Sequence, residues 1–515
     1  MKTPKVRKPF VVCTAAFFAF LLGKLLLPSP AAAQPDVDSE LRAAPLNAAF
    51  VDYVRKSASG GLESRTFAGR FLGYVPPPVD LSSVNRGPLS PHMGSAALFP
   101  PKFDLRAVKR VTPVRDQGRC GSCWAFGTMA SLESCILKDG EKWDFSEADL
   151  NQNHGFDDRI CEGGTFFMSS AYLARWSGPF AEATYPYPFA GTQSSQHASD
   201  PSVKKHLQEV LFLPNREGPT DNGAIKWAVF NHGAVAMSFY VKGAYYNSEK
   251  SSYYCPDIEE NNHGVAIVGW DDHYDRSNFK TMPPGNGAFI VKNSWGEGWG
   301  DRGYFYLSYY DINVRDLTLF GGTESAANYK MAYQYDPQGW VVSIGFNSHT
   351  AWMANIFQGS PEGSRISAVG FYTPEKDCEY DIYVYDRVAV DYDRIKKNSP
   401  TDGKRVFALT RQTMPLAGYH TVKLPKRVPI TPFKKFSVVV RLTTSNSTEP
   451  IAVECPIRVG ASPNSFAAGA NAMAGQSFVS ADPKKKGWSD LTTRTDSSDQ
   501  IDFLKANVCL KAFAK

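Results

Sequence analysis

Long apolar runs are scarce in this 515-residue chain. The clearest, Pro9 to Leu22, follows Lys2, Lys5, Arg7 and Lys8 and is broken by Lys24, short of the roughly 20 residues that a membrane-spanning helix needs. Small residues, Ala31 to Ala33, precede Gln34, so residues 1–33 are expected to be a cleaved secretory signal peptide. No later run reaches membrane-spanning length, and an exported protein is expected: extracellular, periplasmic or cell-surface associated, with no transmembrane segment after signal removal. Valines at 11 and 12 make Cys13 a poor lipid-attachment site. Excess charge is missing too. The formal charge of +5 falls to zero once the five basic residues of 1–33 are removed, leaving no electrostatic case for nucleic acid as a partner. Metal patterns are equally thin. No second C-x-x-C or H-x₃₋₅-H completes a zinc site and no EF-hand spacing occurs, so no metal or cofactor is expected for catalysis.

Against these absences stands Gln117 to Phe126, Q-G-R-C-G-S-C-W-A-F. After it, Ala125, Met129, Leu132 and Ile136 recur at helical spacing, which predicts a helix over Cys123 to Leu137 with one apolar face and Ser122 as N-cap. Cys123 then lies on the first turn, where unpaired N–H groups and the helix dipole favour an anion, so its thiol is expected to be acidified. A thiolate nucleophile needs a base, a group that orients the base, and donors for the oxyanion. His263 opens the buried-strand pattern N-H-G-V-A-I-V-G-W, 140 residues on, and Asn293 follows 30 residues later at the end of F-I-V-K-N-S-W-G. Asn293 can accept the second imidazole N–H. Gln117, six residues before Cys123, offers an amide that could share an oxyanion with the Cys123 N–H.

On these residues the chain resembles the papain-family cysteine peptidases, whose signature includes C-G-[SA]-C-[WY] with a His and an Asn roughly 130–150 residues later. F-D-L-R at Phe103, V-T-P-V-R-D-Q-G at Val111, F-S-E-A-D-L at Phe145 and C-E-G-G at Cys161 extend the likeness over about two hundred residues. The resemblance implies Cys123 as nucleophile, His263 as general base and acid, Asn293 as orienter, Gln117 as oxyanion donor and Trp295 as the indole shielding the His/Asn pair. It also implies a Cys120–Cys161 disulfide, a Gly163-Gly164 backbone rail for a polypeptide substrate, and Thr165 and Phe166 beside the pocket for the second residue before the scissile bond. The fold expected is α+β, a two-lobed catalytic domain (a helical lobe and a β-barrel-like lobe) over residues 101–325. Five further cysteines of the mature chain, Cys135, Cys255, Cys378, Cys455 and Cys509, are an odd set in which at least one must lack an intrachain partner.

Other classes remain open at this point. Cys120 and Cys123 form a C-x-x-C pair, as in thiol-disulfide oxidoreductases, and a catalytically idle surface-binding protein is a third reading. Two additional segments lengthen the chain. Residues 34–100, with a short helix expected over Ala44–Tyr53, are read as an N-terminal arm or short propeptide. If inhibitory, it should be cleaved near Leu98 to Phe103. From about Tyr329 to Lys515, short alternating strands separated by turn residues predict an all-β sandwich. They include Ile366–Thr373, Tyr380–Tyr385, Phe436–Leu442, Ile451–Val459, Ser477–Ser480 and Val508–Phe513. Tyr333 to Trp340, Ala368 to Thr373 and Tyr380 to Tyr385 resemble the lectin-like domain of bacterial surface-associated cysteine peptidases, which implies a cell-surface glycan as a possible partner. Trp340, Trp352 and Trp488 are candidates for sugar stacking, and Asp377, Asp381, Asp386 and Asp391 for a structural calcium ion.

Overall fold

The computed structural model describes residues 40–58, 66–67, 69–81, 99–157, 160–187, 200–459, 465–494 and 500–515. The expected signal peptide, Cys13 and Leu98 lie outside them. Among the described residues, no helix is long and apolar enough to cross a membrane.

A helix over Cys123–Lys138 runs through the centre of the catalytic region, buried from Cys123 to Ile136. This corrects the expected single apolar face. Its polar positions are buried because each meets a partner from another element: the Thr128 hydroxyl donates to Ser169 Oγ at 2.7 Å, and Ser131 Oγ accepts the Phe320 N–H at 3.1 Å. Glu133 accepts the Phe145 N–H at 2.7 Å. Two shorter helices, Glu147–Asn153 and Phe166–Ala174, complete the helical side, capped by Ser146 and Thr165. Opposite them, strands His263–Asp271, Ala288–Lys292 and Tyr304–Ser308 form the antiparallel centre of the second lobe. They deliver His263 at one strand's start and Asn293 just past another's end.

The residues from 331 onward form strands and short 3₁₀ turns, as their alternation predicts. Arg365–Thr373, Cys378–Asp386, Lys435–Thr443 and Ser477–Ser480 fall on the expected segments. Six strands pair in the order Lys404–Met414, Cys378–Asp386, Lys435–Thr443, Thr350–Gln358, Ser477–Ser480, Ser489–Asp490. The other layer departs from an independent sandwich. Its strand Ala417–Pro429 pairs with Lys205–Phe212 of the catalytic region, Ala417 opposite Phe212 and His420 opposite Glu209. One thirteen-stranded, open sheet therefore runs through both regions. A ladder shared this way couples them more tightly than side-chain packing alone, because sliding would break main-chain hydrogen bonds.

The N-terminal arm forms its helix at Ala48–Ala58, four residues later than expected. Asn47 sets the start by accepting the Ala49 N–H at 3.1 Å, while its amide donates to Pro77 O at 2.9 Å.

Candidate active site

Cys123 is the first residue of its helix, as its motif predicts, and is fully buried. Ser122 sits at the N-cap but makes no side-chain cap bond. Its hydroxyl instead lies 3.0 Å from the Tyr187 hydroxyl. The sulfur accepts two backbone N–H groups, from Gly264 and Gly73, each at 3.3 Å. Donors around a sulfur at a helix start favour its anionic form.

The Gly264 contact sets the backbone next to His263 against the sulfur. His263 Nε2 lies 2.8 Å from Asn293 Oδ1, which also accepts the Ser294 N–H at 2.8 Å and is thereby fixed as the acceptor. The imidazole N–H is thus held on Nε2, and Nδ1, buried and without a hydrogen-bond partner, is left as the basic nitrogen. Burial lowers the His263 pKa to about 4, against the bond from Asn293. Trp295 stacks on the imidazole at 4.7 Å between centroids, and Phe67 of the arm stacks on the indole at 5.0 Å. Beneath Asn293, Lys292 Nζ donates to Thr112 Oγ1 at 3.0 Å and Thr112 donates to Glu133 at 2.5 Å, tying the strand end to the central helix. Burial pushes Glu133 up to about 7, with Lys292 pulling the other way. Nothing in the local sequence pattern singles out Thr112 or Glu133.

Gln117 is oriented by Ser294 Oγ, which donates to its Oε1 at 2.6 Å, and its Nε2 donates to two carbonyls at 2.8 Å: Cys120 O and Phe71 O. The second belongs to the arm. Residues 71–75 lie in the cleft: Gly164 N–H donates to Gly73 O at 2.9 Å, Val75 N–H to Gly164 O at 3.0 Å, and Tyr74 N–H to Asn262 O at 3.1 Å. Gly164 thus pairs with the arm through its main chain, and a Cβ there would come within 2.4 Å of the Trp124 ring. The Tyr74 ring packs on Phe166 at 5.0 Å, and burial together with the negative charge of nearby Asp316 raises the pKa of its hydroxyl. Asp316 is half-buried, and the loss of water around its carboxyl raises its pKa; it adopts a left-handed φ of +52°. Thr165 is taken up by capping, accepting the Phe167 and Met168 N–H groups. Tyr74 and Asp316 escaped the sequence reading because both lie far along the chain from the motifs they meet.

Cys120 and Cys161 are bonded, 4.6 Å apart at Cα, so the C-x-x-C redox pair is not available to Cys123 and the oxidoreductase reading falls. Cys135, Cys255, Cys378, Cys455 and Cys509 are all buried thiols. Replacing Cys120 and Cys161 together by serine should lower stability by about 4 kcal/mol, measured by urea unfolding, since the bridge closes a loop of 41 residues.

The sugar and calcium expectations fare differently. Trp340 is buried against Phe167, Phe212 and Tyr372, so it cannot stack on a sugar. Trp352 stacks on Tyr383. Trp488 is partly buried. The four aspartates do not converge. Asp381 is held by Arg441, Asp386 accepts from Thr431, and Asp391 caps a 3₁₀ turn. Among the described residues no cluster of three or more His, Cys, Asp or Glu could hold a metal ion.

Residues 99–317 match the family described as papain family cysteine protease, and residues 332–514 match the family described as lectin like domain. The chain thus carries a papain-family cysteine protease domain followed by a lectin-like domain. Its fold is similar to the cysteine protease and lectin-like domains of Cwp84, a surface layer associated protein of Clostridium difficile, with a TM-score of 0.73 at 22% identity over 93% of this chain and 99% of that one. Cwp84 after propeptide cleavage is similar at a TM-score of 0.66 and 24% identity, covering 80% of this chain and 99% of that one. Among curated proteins, cathepsin J of Mus musculus is 31% identical over 238 residues, 45% of this chain and 65% of that protein. A cathepsin L-like protein of Caenorhabditis elegans is 33% identical over 225 residues, 41% of this chain and 59% of that protein. The chain therefore spans about three fifths of the length of these curated relatives.

Proposed function

We propose that the protein is an exported cysteine endopeptidase held latent by its own N-terminal arm. The observation that carries this is Gln117 Nε2 holding a peptide carbonyl, Phe71 O, beside a sulfur flanked by the His263-Gly264 backbone. That is an oxyanion donor, a nucleophile and a base in one cleft already threaded by polypeptide. In turnover His263 Nδ1 takes the Cys123 thiol proton and the sulfur attacks the substrate carbonyl carbon. Gln117 Nε2 and the Cys123 N–H hold the resulting oxyanion. His263 returns the proton to the leaving amine, giving a thioester, then takes a proton from water as the hydroxyl attacks that thioester and frees the acid and the thiol. Asn293 keeps the ring in the tautomer that these transfers need.

The arm fits the role of a plug. It sets an N–H, from Gly73, against the sulfur, and a donor can hold a sulfur without being attacked by it. A decisive test is mass-mapped labelling with a peptidyl epoxide. Protein cut near Leu98 to Phe103 should carry one adduct, on Cys123. An adduct on any other cysteine alone, or none, would reject the assignment.

The pocket that holds Tyr74 suggests the side chain preferred two residues before the scissile bond: an aromatic ring with a polar tip, packed on Phe166 and pointing its tip toward the charge of Asp316. If a substrate tyrosine donates to that carboxylate, Asp316→Ala should lower kcat/KM about tenfold for a peptide with tyrosine there and leave its leucine counterpart nearly unchanged. Equal losses on both peptides would point to a general structural effect. The resemblance to a surface layer associated protein supports placement at the cell surface, and a glycan ligand for the lectin-like domain remains part of the proposal.

A further inference from the structure

The arm touches more than the cleft. Its strand Arg42–Ala43 pairs antiparallel with Val342–Gly345 of the lectin-like domain, Arg42 opposite Gly345 and Ala43 opposite Ile344, and the Ala44 N–H donates to Ser343 O at 2.8 Å. Val342–Gly345 has its other edge on Ile451–Glu454, so the arm supplies the outermost strand of a four-stranded sheet. Nine residues beyond Leu41, which is buried, Phe50 is buried in turn. Its ring meets Phe466 of the lectin-like domain edge-on at 5.2 Å, and Phe466 packs at 4.9 Å on Phe156 of the protease domain. A cavity of about 340 Å³ remains between arm and domain, lined by Leu46, Val79, Ser343, Glu375 and Glu449 among others. The same stretch joins the cleft strand, because the Asn47 N–H and side-chain amide both donate at 2.9 Å, to Pro78 O and Pro77 O.

These contacts have the chemistry of peptide recognition. A sheet edge that loses its outer strand exposes a row of N–H and C=O groups, and such edges take up extended peptides by strand addition. The main-chain ladder is tolerant of sequence, and the pocket beside it selects an aromatic ring. Both contacts are of the kind a polypeptide makes, a main-chain ladder and an apolar side chain in a pocket. The site is also continuous with the catalytic cleft, so one polypeptide can occupy both, as the arm does.

We infer that the edge Val342–Gly345 and the aromatic pocket beside Phe466 form a polypeptide-binding site, filled by the arm in the latent chain and, once the arm has left, by an extended segment of polypeptide substrate bearing an aromatic side chain. It rests on the latent-peptidase reading for the arm's departure, and binding to it needs no catalysis. Occupying it together with the cleft would raise the effective concentration of the scissile segment at Cys123.

The test uses the full chain with Cys123→Ala and a specific protease site introduced between residues 58 and 66, folded intact and then cut. The fragment ending at residue 58 should stay bound through gel filtration, exchange with a fluorescent peptide of residues 40–58, and be displaced by a reduced, carboxymethylated unfolded protein. Oligosaccharides should leave it in place. With Phe50→Ala in the fragment, retention should weaken at least about tenfold, as expected for emptying an aromatic pocket. That change lies in the arm, so it leaves the fold of the domain untouched, and Phe466→Ala should match it from the other side. Loss of the fragment on cutting would overturn the inference, as would a bound fragment that unfolded protein cannot displace. Displacement by oligosaccharide instead would assign the surface to glycan. If the peptidase reading alone is wrong, these binding results are unchanged and only hydrolysis by the Cys123 form is missing.

Discussion

His263→Ala in the arm-trimmed protein is expected to lower kcat/KM on a peptide substrate by about 10⁴-fold, because one residue supplies both the base and the acid of the reaction. Asn293→Ala should cost less, since the ring remains and loses only its orienting acceptor at 2.8 Å. The pH behaviour separates this account from a structural role. With the arm in place, burial holds the His263 pKa at about 4, so its imidazole is neutral through the physiological range. Water returning to the cleft when the arm leaves removes the penalty on the cation, and the pKa should rise toward the ordinary 6.5. The arm therefore binds the neutral imidazole in preference. By linkage its hold is full above the arm-free pKa and weakens by up to about tenfold per unit as pH falls from there to about 4. Emission from Trp295, stacked against Phe67 of the arm, reports the release. Acidification should shift it in the full chain, and His263→Ala should abolish the pH dependence. An arm that binds more tightly at pH 5 than at pH 7 would refute the linkage.

Gly73→Ala is the second large effect. A Cβ at Gly73 would stand 1.8 Å from Gly121 O and 2.2 Å from Gly121 C, both backbone atoms. That backbone has little freedom to yield, since Gly121 N–H is bonded to Cys161 O at 3.1 Å and Cys120 is crosslinked to Cys161. The arm must move instead. Moving it breaks the Gly73 O and Val75 N–H bonds to Gly164 and withdraws the Gly73 N–H from the sulfur. Overpacking against rigid backbone costs about 3 kcal/mol or more, so epoxide labelling of Cys123 in the full chain should accelerate at least about 100-fold. The substitution lies in the arm, which leaves the catalytic residues as they are. Labelling as slow as that of the unsubstituted chain would show that residues 71–75 are not what closes the cleft.

The parts legible from sequence are those fixed by short-range pattern. Apolar residues at helical spacing placed the helix after Cys123, and continuous apolar runs placed the strands leading from His263 and to Asn293. The burial of that helix on every side was not legible, because its Thr, Ser and Glu residues read as a solvent face until their partners are known. Strand Lys404–Met414 was overlooked for a related reason: it is an edge strand whose exposed positions carry lysine and arginine, which blunts the alternation that marks a strand. The arm helix was placed too early because Asn47, its start signal, is a cap only once the chain has turned toward Pro77.

By itself, the sequence determined the chemical inventory: a thiol at a helix start, an imidazole and an amide on strand ends, a bridge-forming cysteine pair and a chain rich in strands after residue 330. The helix and strands follow from residue type and local periodicity, which act over a few residues, while the choice of bridging cysteines follows from the family resemblance. Only the tertiary structure decided what those groups face: that Gln117 holds an arm carbonyl, that Tyr74 packs on Phe166, and that one sheet runs from the protease domain into the lectin-like domain. Contacts between residues tens to hundreds of positions apart depend on which surfaces are complementary after folding, and local pattern carries no record of them.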